Sequence, residues 1–498
     1  MSPTFDDLYS MSDLHLGGRP DAAVFDSSGP LAAFVRWAAA RAAERDVALV
    51  IGGDIVDFLA FEGARHFNPT TARAWLESLG RDPAPTRVVF EALRDFTAAP
   101  KACLVLLAGN HDVELALPEV RETLLEMTGS GAAARARIVT RFDGTGFSCT
   151  VGGRTVVCVH GNERDDWNVI DHAALRRCVR DLNLHRTPTE FAANAGTRLV
   201  IDVMNPIKRV LPFVDLLKPE DEAVPNVLAS LDKERRGLGL RDAVKQALGI
   251  LWRKRKDARR MRRDELGANE PVDMREFRES FDADVGPSAL VDVDRLYDDV
   301  ENDFLAERAP LDMAGESTAR LDALDTAGVL FGVRTSLRDA LADIALADRG
   351  FDVTIPDATA NDLDAWIGPN VDVLIAGHTH LEKHLPRARR PDGVYLNTGT
   401  WIRLIQLDPG HIADARKFAV LVDALTSSSM AGLDRAVVDG KPLVMRRRTV
   451  ACVEHDVETK LVRAFLRHVR DDAVPADPFH ALSPRPATEL VAREEAGR

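Results

Sequence analysis

The chain has 498 residues, of which 45% are hydrophobic and 29% are charged, a composition that is ordinary for a folded globular protein. This length is sufficient for a large hydrophobic core and for more than one domain. The net charge of −14 argues against a protein that binds nucleic acid over its whole surface, although it permits a local basic patch.

The cysteine content and the absence of long apolar runs favour a location in a reducing compartment. Five cysteines without a close pairing motif are typical of a protein from a reducing environment. Residues 1–9 contain two aspartates and no basic segment, so a signal peptide is not expected. Since no apolar run approaches the roughly 20 residues of a membrane helix, we expect a cytoplasmic protein without a membrane span.

Residues 1–169 predict the first part of an α/β domain. Apolar runs at 8–11, 47–51 and 102–108 are typical of buried strands, and residues 31–45 and 86–98 have apolar residues at helical spacing. Strands that alternate with helices predict a largely parallel sheet covered on its faces.

The remaining chain divides into three predicted parts. Residues 170–364 predict a mainly helical insertion, with candidate helices that include 173–184 and 191–203. Residues 365–470 predict the second part of the α/β domain, with a strand at 418–422 and a closing helix at 457–468. Residues 471–498 contain several prolines and few large apolar residues, which predicts a loose C-terminal tail.

Polar side chains follow five of the predicted strands, at the point where each strand ends. They are Asp13 and His15, Asp54 and Asp57, Asn110, His111 and Asp112, His160, and His378 and His380. In open α/β sheets the crevice outside the carboxyl ends of the strands binds ligands, so we expect these side chains to lie around one crevice.

Carboxylate, amide and imidazole groups without a thiolate suit divalent Mn, Fe, Zn, Ni or Co better than a structural zinc site. The candidate ligands are Asp13, His15, Asp54, Asn110, His160, His378 and His380. Seven ligands exceed the needs of one tetrahedral ion but suffice for two ions if one carboxylate bridges them. A pair of metals about 3.5–4 Å apart is the usual arrangement for phosphoester hydrolysis.

The five motifs resemble the sequence blocks of the calcineurin-like metallophosphoesterases, complete and in the same order. The matching motifs are Asp13-x-His15, Gly53-Asp54-x-x-Asp57, Gly109-Asn110-His111-Asp112, His160 and Gly377-His378-x-His380. The resemblance implies a two-sheet sandwich flanked by helices, here with a mainly helical inserted domain. The region between His160 and Gly377 lies outside this resemblance.

The resemblance also implies a role for each residue. One ion would be held by Asp13, His15, Asp54 and His380, and the other by Asp54, Asn110, His160 and His378. Manganese is the favoured metal, and a hydroxide that bridges the two ions would attack phosphorus. His111 would protonate the leaving oxygen, with its ring oriented by Asp57 or, as the alternative, by Asp112.

Two positions differ from the motifs of particular subgroups of this family, and these differences narrow the range of expected substrates. Phe58-Leu59 follows Asp57 where protein phosphatases carry Arg-Gly, and His111 stands where the related pyrophosphohydrolases usually carry arginine. We therefore favour a phosphodiesterase or phosphatase that acts on a nucleotide-like or other small phosphoester.

The sequence allows alternative interpretations of two segments and of the function. The basic segment 252–263 is either a solvated helix face or a nucleic-acid surface, and the second reading makes a nuclease the alternative function. A non-enzymatic scaffold with the same fold is the other alternative. Residues 165–168 either line the substrate side of the site or anchor the insertion.

Overall fold

The structure is a computed structural model. It describes residues 2–19, 21–208, 211–217, 338, 341–342, 345, 348–426, 429–481 and 483–493. The basic segment 252–263 and most of the predicted insertion lie outside the described residues.

The chain divides into two compact units. The first comprises Met1–Pro219, Ala347–Gln406 and Ala415–Arg498, and the second comprises Glu220–Leu346 and Leu407–Asp414. Both large sheets belong to the first unit. The insertion boundaries at 170 and 364 remain predictions.

The strands of the described residues are numbered in chain order. They are β1 (Thr4–Phe5), β2 (Asp7–Met11), β3 (Val47–Gly52), β4 (Ala102–Leu107), β5 (Ile138–Arg141), β6 (Phe147–Val151), β7 (Arg154–Cys158), β8 (Val373–Ala376), β9 (Glu382–Pro386), β10 (Val394–Thr398), β11 (Leu404–Ile405), β12 (Val437–Val438), β13 (Lys441–Pro442), β14 (Val444–Met445), β15 (Thr449–Asp456), β16 (Leu461–Val474), β17 (Asp477–Phe479) and β18 (Thr488–Val491).

The α-helices are numbered in the same way. They are α1 (Ser28–Arg41), α2 (Ala72–Leu79), α3 (Arg87–Ala98), α4 (Pro118–Thr128), α5 (Gly131–Arg135), α6 (His172–Asn183), α7 (Ala195–Arg198), α8 (Asn205–Lys208), α9 (Ala358–Trp366), α10 (Pro409–Ala413), α11 (Ala415–Leu425) and α12 (Met430–Arg435). A π-helix spans Leu199–Met204, and short 3₁₀ turns span Phe58–Ala60, Val113–Ala116, Asn162–Arg164, Pro212–Leu216 and Asp348–Phe351.

The larger sheet has eight strands, of which seven follow the order β17-β16-β15-β2-β3-β4-β5 and the eighth, β18, pairs with β16. Its centre is parallel, because β2 pairs with β3, β3 with β4 and β4 with β5 in the same direction. The carboxyl ends of β2, β3 and β4 therefore lie at one edge of the sheet.

The smaller sheet has six strands in the order β1-β6-β7-β8-β10-β9. Strands β7, β8 and β10 are parallel to one another. The carboxyl ends of β7 and β8 consequently lie side by side, as those of β2, β3 and β4 do in the larger sheet.

The two sheets pack face to face around a shared apolar core. Val50 and Val105 of the larger sheet belong to the same buried cluster as Val156, Ile375 and Leu396 of the smaller sheet. Helices α1 to α4 cover the outer face of the larger sheet, and α9 packs on the smaller sheet. The predicted two-sheet sandwich flanked by helices is confirmed.

The C-terminal predictions need correction. Residues 418–422 lie in helix α11, and the predicted helix 457–468 largely overlaps strand β16. Residues 471–481 and 483–493 are not a loose tail, because β16 continues to Val474 and both β17 and β18 pair with it. The tail is held by Phe479, which is 2% exposed and packs against the ring of Trp37, with the two centroids 5.0 Å apart.

Helix α6 confirms the candidate helix at 173–184. The candidate at 191–203 begins only at Ala195 and continues as the π-helix. Among the described residues, no helix combines the length and the apolar character that crossing a membrane requires.

Candidate metal centre

All the candidate ligands lie close together, because each ligand follows the carboxyl end of a parallel strand. Strand β2 is followed by Asp13 and His15, β3 by Asp54, β4 by Asn110, β7 by His160, and β8 by His378 and His380. The side chains come from both sheets, so the centre depends on how the two sheets pack.

A first group of donor atoms surrounds Nε2 of His15. This atom lies 3.1 Å from Nε2 of His380 and 3.7 Å from Oδ2 of Asp54. Nε2 of His380 in turn lies 3.2 Å from Oδ1 of Asp13. Two imidazole nitrogens and two carboxylate oxygens therefore converge in a buried space.

A second group surrounds Nε2 of His160. This atom lies 3.3 Å from Oδ2 of Asp54 and 3.3 Å from Oδ1 of Asn110. The ring of His378 is beside it, with the two ring centroids 5.3 Å apart. Asp54 faces both groups through the same oxygen.

His111 lies at the edge of these two groups, with its ring held by a carboxylate. Its Nδ1 is 3.1 Å from Oδ1 of Asp57, and its backbone N–H donates to Oδ1 of Asp54 at 2.9 Å. Asp112 instead accepts hydrogen bonds from the backbone N–H groups of Gly109 and Ile55. Of the two predicted partners, Asp57 is therefore the one that contacts the His111 ring.

The family described as calcineurin-like phosphoesterase matches residues 8–205, which contain the motifs from Asp13 to His160. Residues 8–205 form a calcineurin-like metallophosphoesterase domain. Enzymes of this family are hydrolases that act on phosphoester bonds. The match continues beyond His160, so the first part of the predicted insertion lies within the resemblance. No curated protein matches the chain.

The metallophosphoesterase holds its candidate ligands on strained backbone. Nine non-glycine residues in the described part of the chain have positive φ, and five of them are candidate ligands. These five are Asp13 (54°), His15 (46°), Asp54 (50°), His378 (71°) and His380 (61°). Because the left-handed region costs most L-residues about 1–3 kcal/mol, the surrounding structure must impose this geometry.

Oxygen atoms behind two of the rings lie beside Nδ1, so that the other ring nitrogen faces the centre. Nδ1 of His160 lies 2.8 Å from the carbonyl oxygen of Gly52, to which it can donate. Nδ1 of His15 lies 3.7 Å from Oδ2 of Asp57. In both residues Nε2 is therefore the nitrogen that faces the other donor atoms, as is usual for histidines that bind metals.

The buried carboxylates are ionised in spite of their environment. Burial disfavours the charge on Asp13, but contact with His380 lowers its pKa to about 2. Burial likewise opposes ionisation of Asp54, yet the neighbouring His160 and His111 hold its pKa well below the usual range. Burial would lower the pKa of His160, but the Asp54 carboxylate raises it to about 10.

These charges show that the donor set fits divalent cations. Without a cation, the raised pKa values of His160 and His111 place protons beside the Asp54 carboxylate. A divalent ion could replace those protons, since metal binding requires neutral imidazole and ionised carboxylate. The groups Asp13–His15–His380 and Asp13–Asp54–His160 each converge closely enough to hold an ion.

Two glycines in the motifs are required by close packing. A Cβ atom at Gly109 would lie 2.1 Å from Oδ1 of Asp54, and one at Gly53 would lie 2.4 Å from Nδ1 of His160. Gly53 also has φ of +98°, which disfavours any other residue there.

The segment 165–168 is anchored to the following helices and also contacts a candidate ligand, while its predicted place on the substrate side stays a prediction. Trp167 is 3% exposed, and its carbonyl accepts the N–H of Gly196, so it anchors the start of the following helices. Asp165 reaches the centre, where Oδ2 lies 2.8 Å from Nε2 of His378. The sequence alone gave no sign of this specific contact.

A cavity of about 110 Å³ adjoins the centre at His15 and Asp57. Its wall includes Gly17, Phe61, Asn205 and Lys208. Lys208 forms an ion pair with Asp215 at 2.7 Å, and its positive charge is close enough to lower the pKa of His111. Sequence reasoning missed Lys208, because no motif surrounds it.

Proposed function

We propose that this metallophosphoesterase hydrolyses a small phosphodiester or phosphomonoester, such as a nucleotide-like compound, with two divalent metal ions. The observation that carries the proposal is the position of Asp54, whose Oδ2 lies 3.7 Å from His15 and 3.3 Å from His160. A carboxylate between two sets of imidazole and oxygen donors is suited to bridge two ions.

The proposed ligands divide into two sets that share this carboxylate. The first ion would be held by Asp13, His15, Asp54 and His380, and the second by Asp54, Asn110, His160 and His378. Manganese suits this mixture of carboxylate, amide and imidazole donors, and Fe, Zn, Ni or Co could replace it. When bound, the ions supply Lewis acidity and lower the pKa of water to about 7, so that hydroxide is available as the nucleophile.

His111 is the proposed general acid. The ionised carboxylate of Asp57 at its Nδ1 fixes the ring and stabilises its protonated form, which can give a proton to the leaving oxygen. Burial lowers the pKa of His111, but Asp57 and Asp54 raise it to about 9, so the ring carries a proton near neutral pH.

The cavity beside His15 and Asp57 supports a leaving group of limited size. Its volume of about 110 Å³ is sufficient for a small organic group.

The test is hydrolysis of bis-p-nitrophenyl phosphate and p-nitrophenyl phosphate by chelator-stripped protein, with and without added Mn²⁺. We expect metal-dependent turnover, which His111→Ala removes while the exposed-site control His480→Ala does not. Turnover of the diester identifies a phosphodiesterase, and turnover of the monoester alone identifies a phosphatase. Turnover that needs no metal, or that survives His111→Ala, would contradict the proposal.

A further inference from the structure

Two side chains of the loop that follows His160 connect two of the candidate ligands through a series of hydrogen bonds. Oδ2 of Asp165 lies 2.8 Å from Nε2 of His378 and 2.7 Å from Nδ2 of Asn168. Oδ1 of Asn168 then accepts a long hydrogen bond of 3.5 Å from Nδ2 of Asn110. Asn110 follows a strand of the larger sheet and His378 follows a strand of the smaller one, so these hydrogen bonds connect ligands from the two sheets.

The direction of each hydrogen bond follows from the chemistry of the groups. An ionised carboxylate can only accept, so Nε2 of His378 and Nδ2 of Asn168 must both donate to Asp165. With its NH₂ group used in this way, Asn168 presents its oxygen to Asn110, which must then donate through Nδ2. The order of donors and acceptors along this series is thereby fixed from Asp165 outward.

This order determines which atoms of the two ligands are available. His378 with a proton on Nε2 keeps the lone pair of Nδ1 for a metal. Asn110 with Nδ2 turned toward Asn168 presents Oδ1 to the centre, where it lies 3.3 Å from Nε2 of His160. Both atoms belong to the set proposed for the second ion, and neither belongs to the set for the first.

We propose that Asp165 and Asn168 are positioning residues that select the donor atoms of His378 and Asn110 for the second metal ion. This inference rests on the proposed two-metal function. It assigns to two residues outside the five motifs a role in one half of the centre alone.

The loop that carries the two residues is itself well fixed. Oδ1 of Asp165 accepts the backbone N–H of Trp167 at 2.9 Å, and Nδ2 of Asn162 donates to the carbonyl of Asn168 at 2.9 Å. Gly196 packs so closely on Asn168 that a Cβ atom there would lie 1.9 Å from its Oδ1. The two side chains are therefore held in place rather than left to find their partners on metal binding.

The expected effect of removing this support is selective. Mutation of residues that orient metal ligands typically lowers metal affinity about 10- to 100-fold. Asp165→Asn and Asn168→Ala should therefore lower the affinity for the second ion by about this factor, while the affinity for the first ion is unchanged. A general structural defect would lower the affinities for both ions together.

The experiment titrates chelator-stripped full-length protein with Mn²⁺, by calorimetry for the two affinities and by electron paramagnetic resonance for coupling between the ions. The neighbouring Asp166→Asn is the matched control, because Asp166 is exposed and lies in the same loop. We expect two ions and a coupled signal for the wild type and for Asp166→Asn, and loss of the second ion and of the coupling for Asp165→Asn and Asn168→Ala.

The outcomes separate this inference from the function on which it rests. Wild-type protein that binds fewer than two ions would overturn the two-metal function, and with it this inference. Wild-type protein that binds two ions, together with Asp165→Asn and Asn168→Ala variants that retain both with normal affinity, would overturn only the role of the two residues. Circular dichroism of each variant identifies a failure to fold, and Asn168→Ala then provides the test if Asp165→Asn fails.

Discussion

The Asp57 carboxylate lies with one oxygen 3.1 Å from Nδ1 of His111 and with the other 3.7 Å from Nδ1 of His15. One side chain thus stands behind the proposed general acid and behind a proposed ligand of the first ion. Burial opposes its ionisation, but the two histidines hold its pKa well below the usual range, so it carries a charge at neutral pH.

Replacing this carboxylate with an amide should reduce turnover strongly. Asp57→Asn keeps the shape but removes the charge that stabilises protonated His111, and general acid catalysis typically contributes about 10²- to 10⁴-fold. We expect a fall in kcat within that range on p-nitrophenyl substrates, with both metals largely retained. The exposed Asp362→Asn is the control. An unchanged kcat for Asp57→Asn would contradict the role.

The charge of Lys208 should influence the pH dependence of turnover. His111 must be protonated to act as an acid, so activity falls as the pH rises through its pKa. Lys208 lowers that pKa, and Lys208→Gln removes a positive charge and leaves Asp215 without this ion-pair partner. The basic limb of the kcat profile should therefore move to higher pH, whereas Lys101→Gln on the surface should leave it in place. Movement to lower pH would exclude the assigned coupling.

Metal binding should release protons. Because the pKa of His160 is about 10 without a metal, the ring is protonated at pH 7.5 and must lose its proton to become a ligand. Mn²⁺ affinity should consequently rise between pH 6 and pH 8. Calorimetry in two buffers of different ionisation enthalpy measures the protons released, and His160→Gln should release fewer than the wild type. Equal heats in both buffers would argue against this exchange.

The close packing around Gly109 predicts that one added methyl group disturbs metal binding. In Gly109→Ala the added Cβ would meet Oδ1 of Asp54 at 2.1 Å, so the carboxylate or the loop must move. We expect the loss of at least one Mn²⁺ per chain in a titration. Gly368→Ala is the matched control, because a Cβ atom there meets nothing within 4 Å. Normal metal content in Gly109→Ala would show that the loop adapts.

A buried acid outside the centre should make stability depend on pH. Burial raises the pKa of Glu114 to about 8, and its Oε1 accepts hydrogen bonds from the backbone and side chain of Asn68. Between pH 5 and 8 the folded chain holds a proton that the unfolded chain has lost, so stability falls as the pH rises, by up to about 1.4 kcal/mol per pH unit.

Glu114→Gln removes this titration while keeping a hydrogen-bond acceptor. The variant should gain in melting temperature relative to the wild type as the pH increases from 5 to 8, when both are measured with chelator present. The exposed Glu119→Gln on α4 should show no such trend. A constant difference between Glu114→Gln and the wild type across this range would contradict the assignment.

The fold and the location of the centre were predictable because they depend on local patterns. An apolar run followed by Asp, Asn or His predicts a parallel strand with a polar side chain at its carboxyl end. Because the carboxyl ends of parallel strands lie at the same edge of a sheet, these side chains are expected near one another. Asp54 and Asn110 could therefore be placed near each other without knowledge of the tertiary structure.

The C-terminal region was harder to predict because its composition does not indicate its structure. Val462, Ala464 and Leu466 are buried and alternate with more exposed residues, which is the period of a strand, although Ala, Leu and Arg favour helix. The last strands are held by single buried residues such as Phe479 and Leu490, which a survey of composition overlooks.

The contact of Asp165 with His378 could not be predicted, because it joins residues 213 positions apart through two loops. No periodicity or motif connects such positions. Only the parallel pairing of β7 with β8 in the smaller sheet brings the two loops together.

The left-handed backbone at five of the candidate ligands has a consequence for the evolution of this enzyme. Glycine or asparagine would occupy those positions with less strain, so substitutions there would make the metal-free fold more stable while removing donors. Selection for thermal stability alone would favour such changes and would erode the centre. The five residues mark the part of the chain where activity and stability oppose each other.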